Sequence, residues 1–552
     1  MNEAIQAVRA YHQVSKHHTQ GYAPGPGFLD WDTQPNPFRR YADAPLSELP
    51  LLSRPPQART YAQLFSNATR TADALSPETL GLFLELALGL SAWKSSGPDR
   101  WALRNNPSSG NLHPTEGYLL LWQAASAELT PGLYHYAPHE HALERRAELP
   151  AELAARLRAA HPGCFGALGL SSVLWREAWK YGVRAYRYCQ LDVGHALASA
   201  RMAAQLLGWS LKLDACVSDA NVAACLGLDR AEDFGAAARE HPDLLAVLGE
   251  PGVDTAGVNW TEIAQALTHW TGSANALSRE QFEWPQINHV LPALHKADTP
   301  APVFTAPTAA PAALVAHATD DRPTAACSLI RQRRSAQRMD GQSGMSRADF
   351  ERLLQRSLPV AQRPPFDALP YPPVIQLLFF VHAIEGLEPG IYLLMRNPAQ
   401  LAALRQTCSE ALEWLAVPDT TLPLYRLYAP LELRRTAAQL SCHQGIAGRG
   451  AFSLGMLADL DLTLKSAGAW AYRRLYWEAG MLGQLLYLEA EAAGLQGTGI
   501  GCFFDDDVHQ LIGLDPEGAW QDLYHFTVGK AVLDERLQTE PAYAHLAASR
   551  FV

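Results

Sequence analysis

The stretch AYRYCQLDVGHALASARMAAQLLGW at residues 185–209 decides the fold, because a second version, AYRRLYWEAGMLGQLLYLEAEAAGL, stands at residues 471–495. Apolar residues recur three and four positions apart in both versions, which predicts a long helix with one apolar face. Two long helices of matching sequence in one chain predict a duplicated structural unit.

A second pair of matching segments supports the duplication. PGLYHYAPHEHALERR begins at Pro131 and PGIYLLMRNPAQLAALR begins at Pro389, so the two matches occur in the same order. The second half also carries an insertion around YAPLELRRTAAQLSCHQG. Each half has the pattern of a helix, a strand pair, the long helix, and a short strand and helix. This order lacks the regular alternation of a doubly wound sheet, so we predict the α+β class.

A segment rich in Pro, Ala and Thr separates the two halves at residues 296–327. It has no helical period and few large apolar residues, which predicts an extended linker. We therefore divide the chain into a leader that wraps the core, a first domain, a linker and a second domain, at residues 1–58, 59–292, 293–327 and 328–552.

The composition argues against several classes of protein. The 552 residues include 45 lysines and arginines against 56 aspartates and glutamates, and the net charge of −11 disfavours nucleic acid or an anionic membrane as main partner. The N-terminus lacks the apolar segment of a signal peptide, and no run of about 18 apolar residues predicts a membrane span. The eight cysteines form no C-x-x-C pair, so we expect reduced thiols in a cytoplasmic protein.

A loop of four small polar residues occurs in the first half only. SSGN at residues 108–111 follows Pro107 directly ahead of an apolar strand, whereas the second half has FDAL at residues 366–369 after the corresponding Pro365. A turn needs only one or two such residues. We therefore expect the backbone and hydroxyl groups of the first loop to approach another group closely.

The opposite asymmetry lies ahead of the first helix of each half. Arg333, Arg334 and Ser335 precede the helix of the second half, where the first half has LFS at residues 64–66. Guanidinium groups and a hydroxyl before a helix N-terminus suit a phosphate group. A solvated basic turn is the alternative interpretation.

Alternating glycines follow the second long helix. Gly497, Gly499 and Gly501 lie in GLQGTGIGCFF, which leads from a helix into a strand and so reverses the order of a dinucleotide fingerprint. Such glycines are typical of a backbone approached closely by a flat ligand. A plain helix-to-strand turn is equally compatible with them.

Two further motifs are interpreted as structural. His12, His17 and His18 lack the partner spacing of a zinc site, so we predict no metal. Cys442 and His443 in CHQG could pair as a nucleophile and its base. No third group is identifiable for them, which favours a packed helix in the insertion.

The motifs RRSAQRMDG, PSSGNLHPTE, WKYGVRAYRYCQLDVGHALASARMAAQLLGW, YWEAGMLGQLLYLEAEAAGLQGTGIGCF and HFTVGKAVLDER together resemble the nitroreductase superfamily of flavin enzymes. In particular, the chain resembles the branch of SagB-type peptide azoline dehydrogenases. The resemblance implies two nitroreductase-like α/β-sandwich domains that form an intramolecular pseudo-dimer. It also implies that FMN lies between them, with phosphate contacts from one half and the Pro-Ser-Ser loop from the other.

The resemblance assigns flavin contacts by position. The phosphate and ribityl groups fall to Arg333, Arg334 and Ser335, with Lys530 and Arg536 as further candidates for the phosphate charge. The isoalloxazine falls to Pro107, Ser108, Ser109 and Asn111, and a backbone N–H near its N5 atom to Gly499, Ile500 and Gly501. Gln337 stands where many members have a Lys or Arg near the pyrimidine ring. Because the first half lacks the arginines, we expect one FMN per chain.

The resemblance also implies catalytic residues and a reaction. Lys180 and Tyr181 match the Lys-Tyr pair of the dehydrogenases, and a base beside the flavin would remove a proton as hydride leaves the substrate. A solvated Lys180 and a packing Tyr181 are the structural alternative. The expected function is oxidation of a peptide or amino-acid-derived substrate, with partner enzymes of a biosynthetic cluster. An NAD(P)H-dependent nitro or quinone reductase and a non-catalytic flavin-binding scaffold are the other hypotheses.

Overall fold

A computed structural model of the chain describes residues 2–53, 59–66, 71–253, 256–308 and 324–552. The parts of the predicted leader and linker at residues 54–58 and 309–323 lie outside the described residues. The mixture of helices and sheets confirms the predicted α+β class.

The elements before the linker begin with a helix and end with short helices ahead of residue 295. The helices are α1 (Glu3–Val14), α2 (Pro77–Leu88), α3 (Ala151–Ala160), α4 (Leu174–Tyr181), α5 (Ala185–Leu206), α6 (Asp219–Leu226), α7 (Ala231–Phe234), α8 (Trp260–Ala266) and α9 (Pro285–Val290). The strands are β1 (Tyr41–Ala42), β2 (Leu46–Glu48), β3 (Leu90–Ser96), β4 (Asp99–Arg104), β5 (Thr115–Leu121), β6 (Gly132–Ala137), β7 (Ala142–Glu148), β8 (Cys164–Ser172), β9 (Ser210–Leu213), β10 (His241–Gly249) and β11 (Ser273–Ala274).

The elements after the linker follow a similar order. The helices are α10 (Ala326–Gln332), α11 (Arg347–Ser357), α12 (Leu401–Thr407), α13 (Leu433–Leu440), α14 (Leu460–Ala467), α15 (Tyr472–Ala492) and α16 (Asp505–Ile512). The strands are β12 (Ile375–Val381), β13 (Gly390–Leu394), β14 (Leu415–Ala416), β15 (Leu424–Tyr428), β16 (Phe452–Asp459), β17 (Gln496–Ile500), β18 (Trp520–Gly529) and β19 (Gln538–Pro541).

Each half contains a seven-stranded antiparallel sheet, and six of the seven strands follow the same path of the chain, the exceptions being the edge strands β2 and β14. The first sheet has the order β2-β7-β6-β5-β8-β10-β9, and the second has the order β14-β15-β13-β12-β16-β18-β17. The two matched strand pairs of the sequence, β5-β6 and β12-β13, occupy equivalent places in these orders. The short strands that follow the long helices, β9 and β17, lie at equivalent edges.

The two long helices, α5 and α15, pack against each other where the halves meet. Gly194 and Gly480, each the tenth residue of its matched segment, lie at the crossing. A Cβ atom on Gly194 would lie 2.9 Å from the Cα of Gly480, and one on Gly480 would lie 3.0 Å from the Cα of Gly194. The contact is therefore reciprocal, as at a two-fold axis. Residues of both halves share one apolar cluster around it.

Both ends of the described chain cross to the other half. The N-terminal helix packs on the second half, where His12 Nδ1 lies 3.0 Å from Tyr472 Oη and the Lys16 ammonium lies 2.9 Å from Asp506 Oδ1. In the other direction, β19 pairs with β3 in a three-stranded sheet of the order β19-β3-β4. The residues assigned to the second domain thus include a strand that completes a sheet of the first half.

No helix in the described residues has both the length and the apolar character that a membrane span requires.

Candidate functional site

A cleft between the two halves contains most of the residues that the sequence singled out. Its upper chamber has a volume of about 540 Å³ and its lower chamber a volume of about 260 Å³. Pro107 and Ser108 of the first half and Ser335 of the second half line both chambers. The loop at residues 107–111 and the arginine segment therefore come from different halves and meet in one site, within the size range of small-molecule pockets.

Four cationic side chains line the upper chamber. They are Lys94 and Arg104 from β3 and β4 and Arg333 and Arg334 from the segment after α10. Arg333 is only 3 % exposed, and its Nη2 donates to the carbonyl oxygen of Arg104 at 2.9 Å. Its Nε and Nη1 atoms have no hydrogen-bond partner among the described residues. A buried guanidinium with free donors is costly unless an anion joins it.

The pKa shifts of these arginines have the same cause. Burial lowers the pKa of Arg333, and burial together with the charge of Arg333 lowers the pKa of Arg334 to about 10. Burial also lowers the pKa of Arg104 to about 10. Nearby Glu491 only partly offsets the positive charge, because burial raises the pKa of its own carboxyl to about 7. A phosphate group would pair with these cations and remove their mutual repulsion.

A hydrogen-bonded chain links the arginine segment to the glycine segment. Ser335 Oγ lies 2.9 Å from Tyr487 Oη, and the Tyr487 hydroxyl accepts a hydrogen bond from the N–H of Gly499 at 3.0 Å. The guanidinium of Arg333 lies 4.9 Å from the centroid of the Tyr487 ring. Tyr487 on α15 therefore positions Arg333, Ser335 and Gly499 together along one wall of the cleft.

The alternating glycines have a structural reason that the sequence did not reveal. A Cβ atom on Gly499 would lie 1.9 Å from Tyr524 Oη, and one on Gly501 would lie 2.4 Å from the Tyr188 ring. The flat groups that approach this backbone are thus tyrosine rings of the protein itself. Gly499, Ile500 and Gly501 also line the lower chamber, so this segment faces both the tyrosines and the cavity.

Lys180 and Tyr181 contact the loop at residues 107–111. A Cβ atom on Gly110 would lie 2.5 Å from Tyr181 Oη and 3.2 Å from Lys180 Nζ. Tyr181 lines the lower chamber, and burial raises the pKa of its hydroxyl well above the usual value. Lys180 lines an outer groove of about 660 Å³ with Trp31, Trp101 and Trp179. Gly110 borders both cavities, so the pair lies where the groove meets the chamber.

Two buried carboxyl groups beneath this loop were not anticipated from the sequence. Asp192 Oδ1 accepts the N–H of Ser109 at 3.3 Å, and Glu177 Oε1 accepts the hydroxyl of Ser108 at 3.4 Å. Asp192 Oδ2 and Glu177 Oε2 have no hydrogen-bond partner in the described part of the chain. Burial raises the pKa of Asp192 to about 8, and burial together with the charge of Asp192 raises that of Glu177.

Of three further cofactor residues expected from the resemblance, one lines the upper chamber and two do not. Gln337 lines the upper chamber and is exposed there. Lys530 is exposed, and its ammonium donates to the carbonyl oxygen of Gly494 at 3.3 Å. Arg536 is 81 % exposed and forms two hydrogen bonds with Asp534, at 2.9 and 2.6 Å. Lys530 and Arg536 thus do not join the cationic side chains that line the upper chamber.

The corresponding region on the other side of the interface is filled by protein groups. The guanidinium of Arg201 on α5 donates to both carboxylate oxygens of Asp367, at 2.9 and 2.8 Å. Leu64 is fully buried, and the guanidinium of Arg356 lies 4.1 Å from the centroid of the Phe65 ring. Phe366 is also buried. In this region the guanidinium donors of Arg201 are therefore used by a carboxylate of the protein, whereas two donor atoms of Arg333 remain free among the described residues.

The described residues contain no group of three or more His, Cys, Asp or Glu side chains placed to hold a metal ion.

Comparison with known proteins identifies the architecture. The Nitroreductase family model matches residues 330–530. The crystal structure of a nitroreductase-like protein from Anabaena variabilis matches 95 % of this chain and 99 % of that chain, with a TM-score of 0.65 and 21 % identity. The chain has the nitroreductase fold. The comparison with curated proteins finds no match.

Two other solved structures match a smaller part of this chain. The Escherichia coli microcin synthetase McbBCD complex with truncated pro-MccB17 matches 45 % of this chain and 93 % of that chain, at 21 % identity and a TM-score of 0.27. A nitroreductase-like protein from Exiguobacterium sibiricum in complex with FMN matches 37 % of this chain and 88 % of that chain, at 14 % identity and a TM-score of 0.22.

The family model covers only one side of the cleft in this nitroreductase fold. Residues 330–530 include the arginine segment and the glycine segment, but not the loop at residues 107–111 or Lys180 and Tyr181. The part of the chain before the linker therefore supplies the half of the site that lies outside the matched segment.

Proposed function

We propose that the chain is an FMN-dependent oxidoreductase with one flavin site, formed by both halves of a duplicated nitroreductase-like unit. The buried guanidinium of Arg333, with two unused donor atoms in a cleft that also contains the loop at residues 107–111, carries this proposal. The reciprocal helix contact at Gly194 and Gly480 supports the duplication. The eight cysteines, all among the described residues, are thiols rather than disulfides, which fits a reducing, cytoplasmic compartment.

The proposal gives each wall of the cleft a role. Arg333, Arg334 and Arg104 bind the phosphate group, because all three line the upper chamber with positive charge and Arg333 has two donor atoms that no described residue uses. Ser335 and the loop at residues 107–111 orient the rest of the cofactor, and Gly499, Ile500 and Gly501 line the lower chamber opposite that loop. When bound, FMN supplies the chemistry of hydride transfer.

Proton transfer falls to the residues around Gly110. Tyr181 holds a proton at its hydroxyl, which burial keeps neutral, and Lys180 approaches the same side of this glycine. The pair Asp192 and Glu177 holds at least one proton near neutral pH, because two adjacent buried carboxylates cannot both ionise without a large cost. Tyr181 and Lys180 can exchange a proton with a substrate in the outer groove, since both contact its border with the chamber.

The outer groove favours a peptide or amino-acid-derived substrate. Trp31, Trp101 and Trp179 line it, and Trp31 is 63 % exposed, so apolar and aromatic surfaces are available to an extended chain. The groove meets the lower chamber at Gly110, next to the proton-bearing groups. Oxidation of an azoline ring in such a peptide, in concert with partner enzymes that make the ring, is the reaction we propose.

The test is anaerobic reduction of the FMN-loaded protein, followed by the loss of flavin absorbance. An azoline-containing peptide should reduce the flavin in the wild type, and Lys180→Met and Tyr181→Phe should slow this step with flavin content unchanged. Reduction by NAD(P)H but not by the peptide would instead make the protein a reductase. Reduction by neither donor would indicate a flavin-binding scaffold and would refute the dehydrogenase.

A further inference from the structure

Two cysteines and a histidine that are distant in sequence meet at the lower chamber. Cys502, which follows the glycine segment, lines this chamber. Cys442 lies just after α13 in the insertion, and His17 lies just after α1. Both thiols are partly exposed. The proposed flavin chemistry uses none of these three side chains.

Backbone contacts hold the two cysteine segments together. The N–H of Phe504 donates to the carbonyl oxygen of Leu440 at 2.8 Å, and the side-chain amide of Gln444 donates to the carbonyl oxygen of Cys502 at 3.0 Å. Cys442 and Cys502 therefore lie between two contacts that join their segments. Cys442 also has a φ of +52°, a left-handed conformation that is uncommon outside glycine and clusters at functional sites.

The His17 ring carries its proton on the nitrogen that does not face the Ala23 amide. The N–H of Ala23 donates to His17 Nδ1 at 2.9 Å, so the neutral ring carries its proton on Nε2. Burial lowers the pKa of His17, which keeps the ring neutral. The side chain of His17 is a hydrogen-bond partner of the Cys502 thiol.

Several groups stabilise the thiolate form of Cys502. The neighbouring Cys442 thiol, the hydrogen bond from His17 and the charge of Arg184 lower the pKa of Cys502 to about 5, against the opposing effect of burial. Arg184 is held in place by two hydrogen bonds to the carbonyl oxygen of Gly501, at 3.2 and 3.0 Å, and by a salt bridge to Asp505 at 2.9 Å. Cys442 keeps its proton, because its pKa is raised by the same pairing.

We propose that Cys442 and Cys502 form a reversible dithiol–disulfide couple on the wall of the cleft, with low-molecular-weight disulfides as its substrates. The Cys502 thiolate attacks one sulfur of the disulfide, forms a mixed disulfide and releases one thiolate. Cys442 then loses its proton and attacks the Cys502 sulfur, which releases the second thiolate. The two protein thiols are oxidised and the small disulfide is reduced to two thiols, so no further oxidant is needed.

The couple would join the insertion to the segment that lines the lower chamber. Its oxidation state therefore changes one wall of the cleft without changing the arginines or the loop at residues 107–111. Cys216 offers a matched control, since it is also a partly exposed thiol but its pKa is raised by burial.

The experiment is the reaction of the full-length protein at about pH 6 with an aromatic disulfide, 5,5′-dithiobis(2-nitrobenzoic acid). The lowered pKa of Cys502 leaves a larger fraction of this thiol ionised at this pH than of an ordinary thiol. After allowance for the lower intrinsic reactivity of a low-pKa thiolate, Cys502 should react about tenfold faster than an ordinary thiol. The fast phase should release two thiolates per chain and leave no reagent attached, as intact-mass measurement would show.

Single substitutions distinguish the roles of Cys442 and Cys502. Cys442→Ser should release one thiolate in the fast phase and retain one reagent group, Cys502→Ser should lose the fast phase, and Cys216→Ser should behave as the wild type. Circular dichroism checks that each variant is folded. His17→Asn, which keeps an acceptor for Ala23 but removes the donor to Cys502, should move the ultraviolet titration of the thiolate to higher pH. A fast phase that survives in Cys502→Ser, or two thiolates from Cys442→Ser, would overturn the couple.

Discussion

The two corresponding regions at the interface between the halves differ in what satisfies their polar groups. Around Arg333, cations line a cleft and donor atoms remain unpaired among the described residues. Around Phe65 and Phe366, apolar side chains are buried, and Arg201 pairs with Asp367 within the protein. An arginine whose charge and donors are paired within the protein stabilises the fold. An arginine with unpaired donors in a cleft can use its charge and donors to bind a ligand.

The largest expected effect follows from removal of Arg333, which has unpaired donor atoms within the described chain, together with its neighbour Arg334. Arg333→Ala with Arg334→Ala should weaken FMN binding at least about a hundredfold, because hydrogen bonds to charged groups contribute about 1.5–3 kcal/mol each. Titration of FMN into the apoprotein, followed by flavin fluorescence, measures this loss. Arg536→Ala is the matched control and should bind FMN as the wild type does, since Arg536 is exposed and paired with Asp534. Equal losses of FMN affinity in both variants would indicate that Arg536 also binds the phosphate group.

For Arg201, which is paired with Asp367, we expect a loss of stability rather than a loss of FMN binding. Arg201→Ala should lower the free energy of unfolding by about 3–5 kcal/mol, because it leaves the nearly buried Asp367 carboxylate without its partner. Flavin content per folded chain should stay the same. Urea unfolding of the apoprotein gives the stability, and absorbance after FMN saturation gives the content. A variant that keeps its stability but loses flavin would contradict the division between the two regions.

A smaller effect concerns pH and the carboxyl pair beneath the loop. The pKa of Asp192 is raised to about 8 in the folded protein, so its contribution to stability is present below about pH 4 and is lost as the pH rises toward 8. One proton gives a slope of at most about 1.4 kcal/mol per pH unit. Burial raises the pKa of both carboxyl groups, and hydrogen bonds from Ser108 and Ser109 and the charge of Lys180 oppose this rise. Asp192→Asn should flatten the decline of apoprotein stability across this range, measured by urea unfolding at several pH values. An unchanged dependence of stability on pH would show that a group other than Asp192 holds the buried proton.

Local patterns predicted the helices because periodicity is a property of neighbouring residues. The matched segments are the long helices α5 and α15, and their shared tenth residue is the glycine at the crossing. The pairing of β19 with β3 could not be predicted in this way, since residues 538–541 and 90–96 meet only through the tertiary fold. The same holds for the buried strands β10 and β18, whose pairings with β8 and β16 join residues that are distant in sequence.

The residues of the candidate site could be predicted where the sequences of the two halves differ. They could not be predicted where no local pattern distinguishes a functional residue from a structural one. The loop at residues 107–111 and the arginine segment stand out because each has an apolar counterpart. Asp192 is one of several buried polar residues of α5, among them Gln190 and His195, so no local signal distinguished it. The tyrosines that occupy the space beside Gly499 and Gly501 come from α5 and β18, and no local pattern connects them to the glycine segment.

The stoichiometry of FMN tests the comparison most directly. The purified full-length chain is saturated with FMN, freed of excess cofactor, and assayed for flavin absorbance per mole of protein. The account predicts a ratio near one for the wild type and near zero for the variant that combines Arg333→Ala with Arg334→Ala. A ratio near two, or retention of about half the flavin in that variant, would show that the region around Phe65 and Phe366 also binds the cofactor.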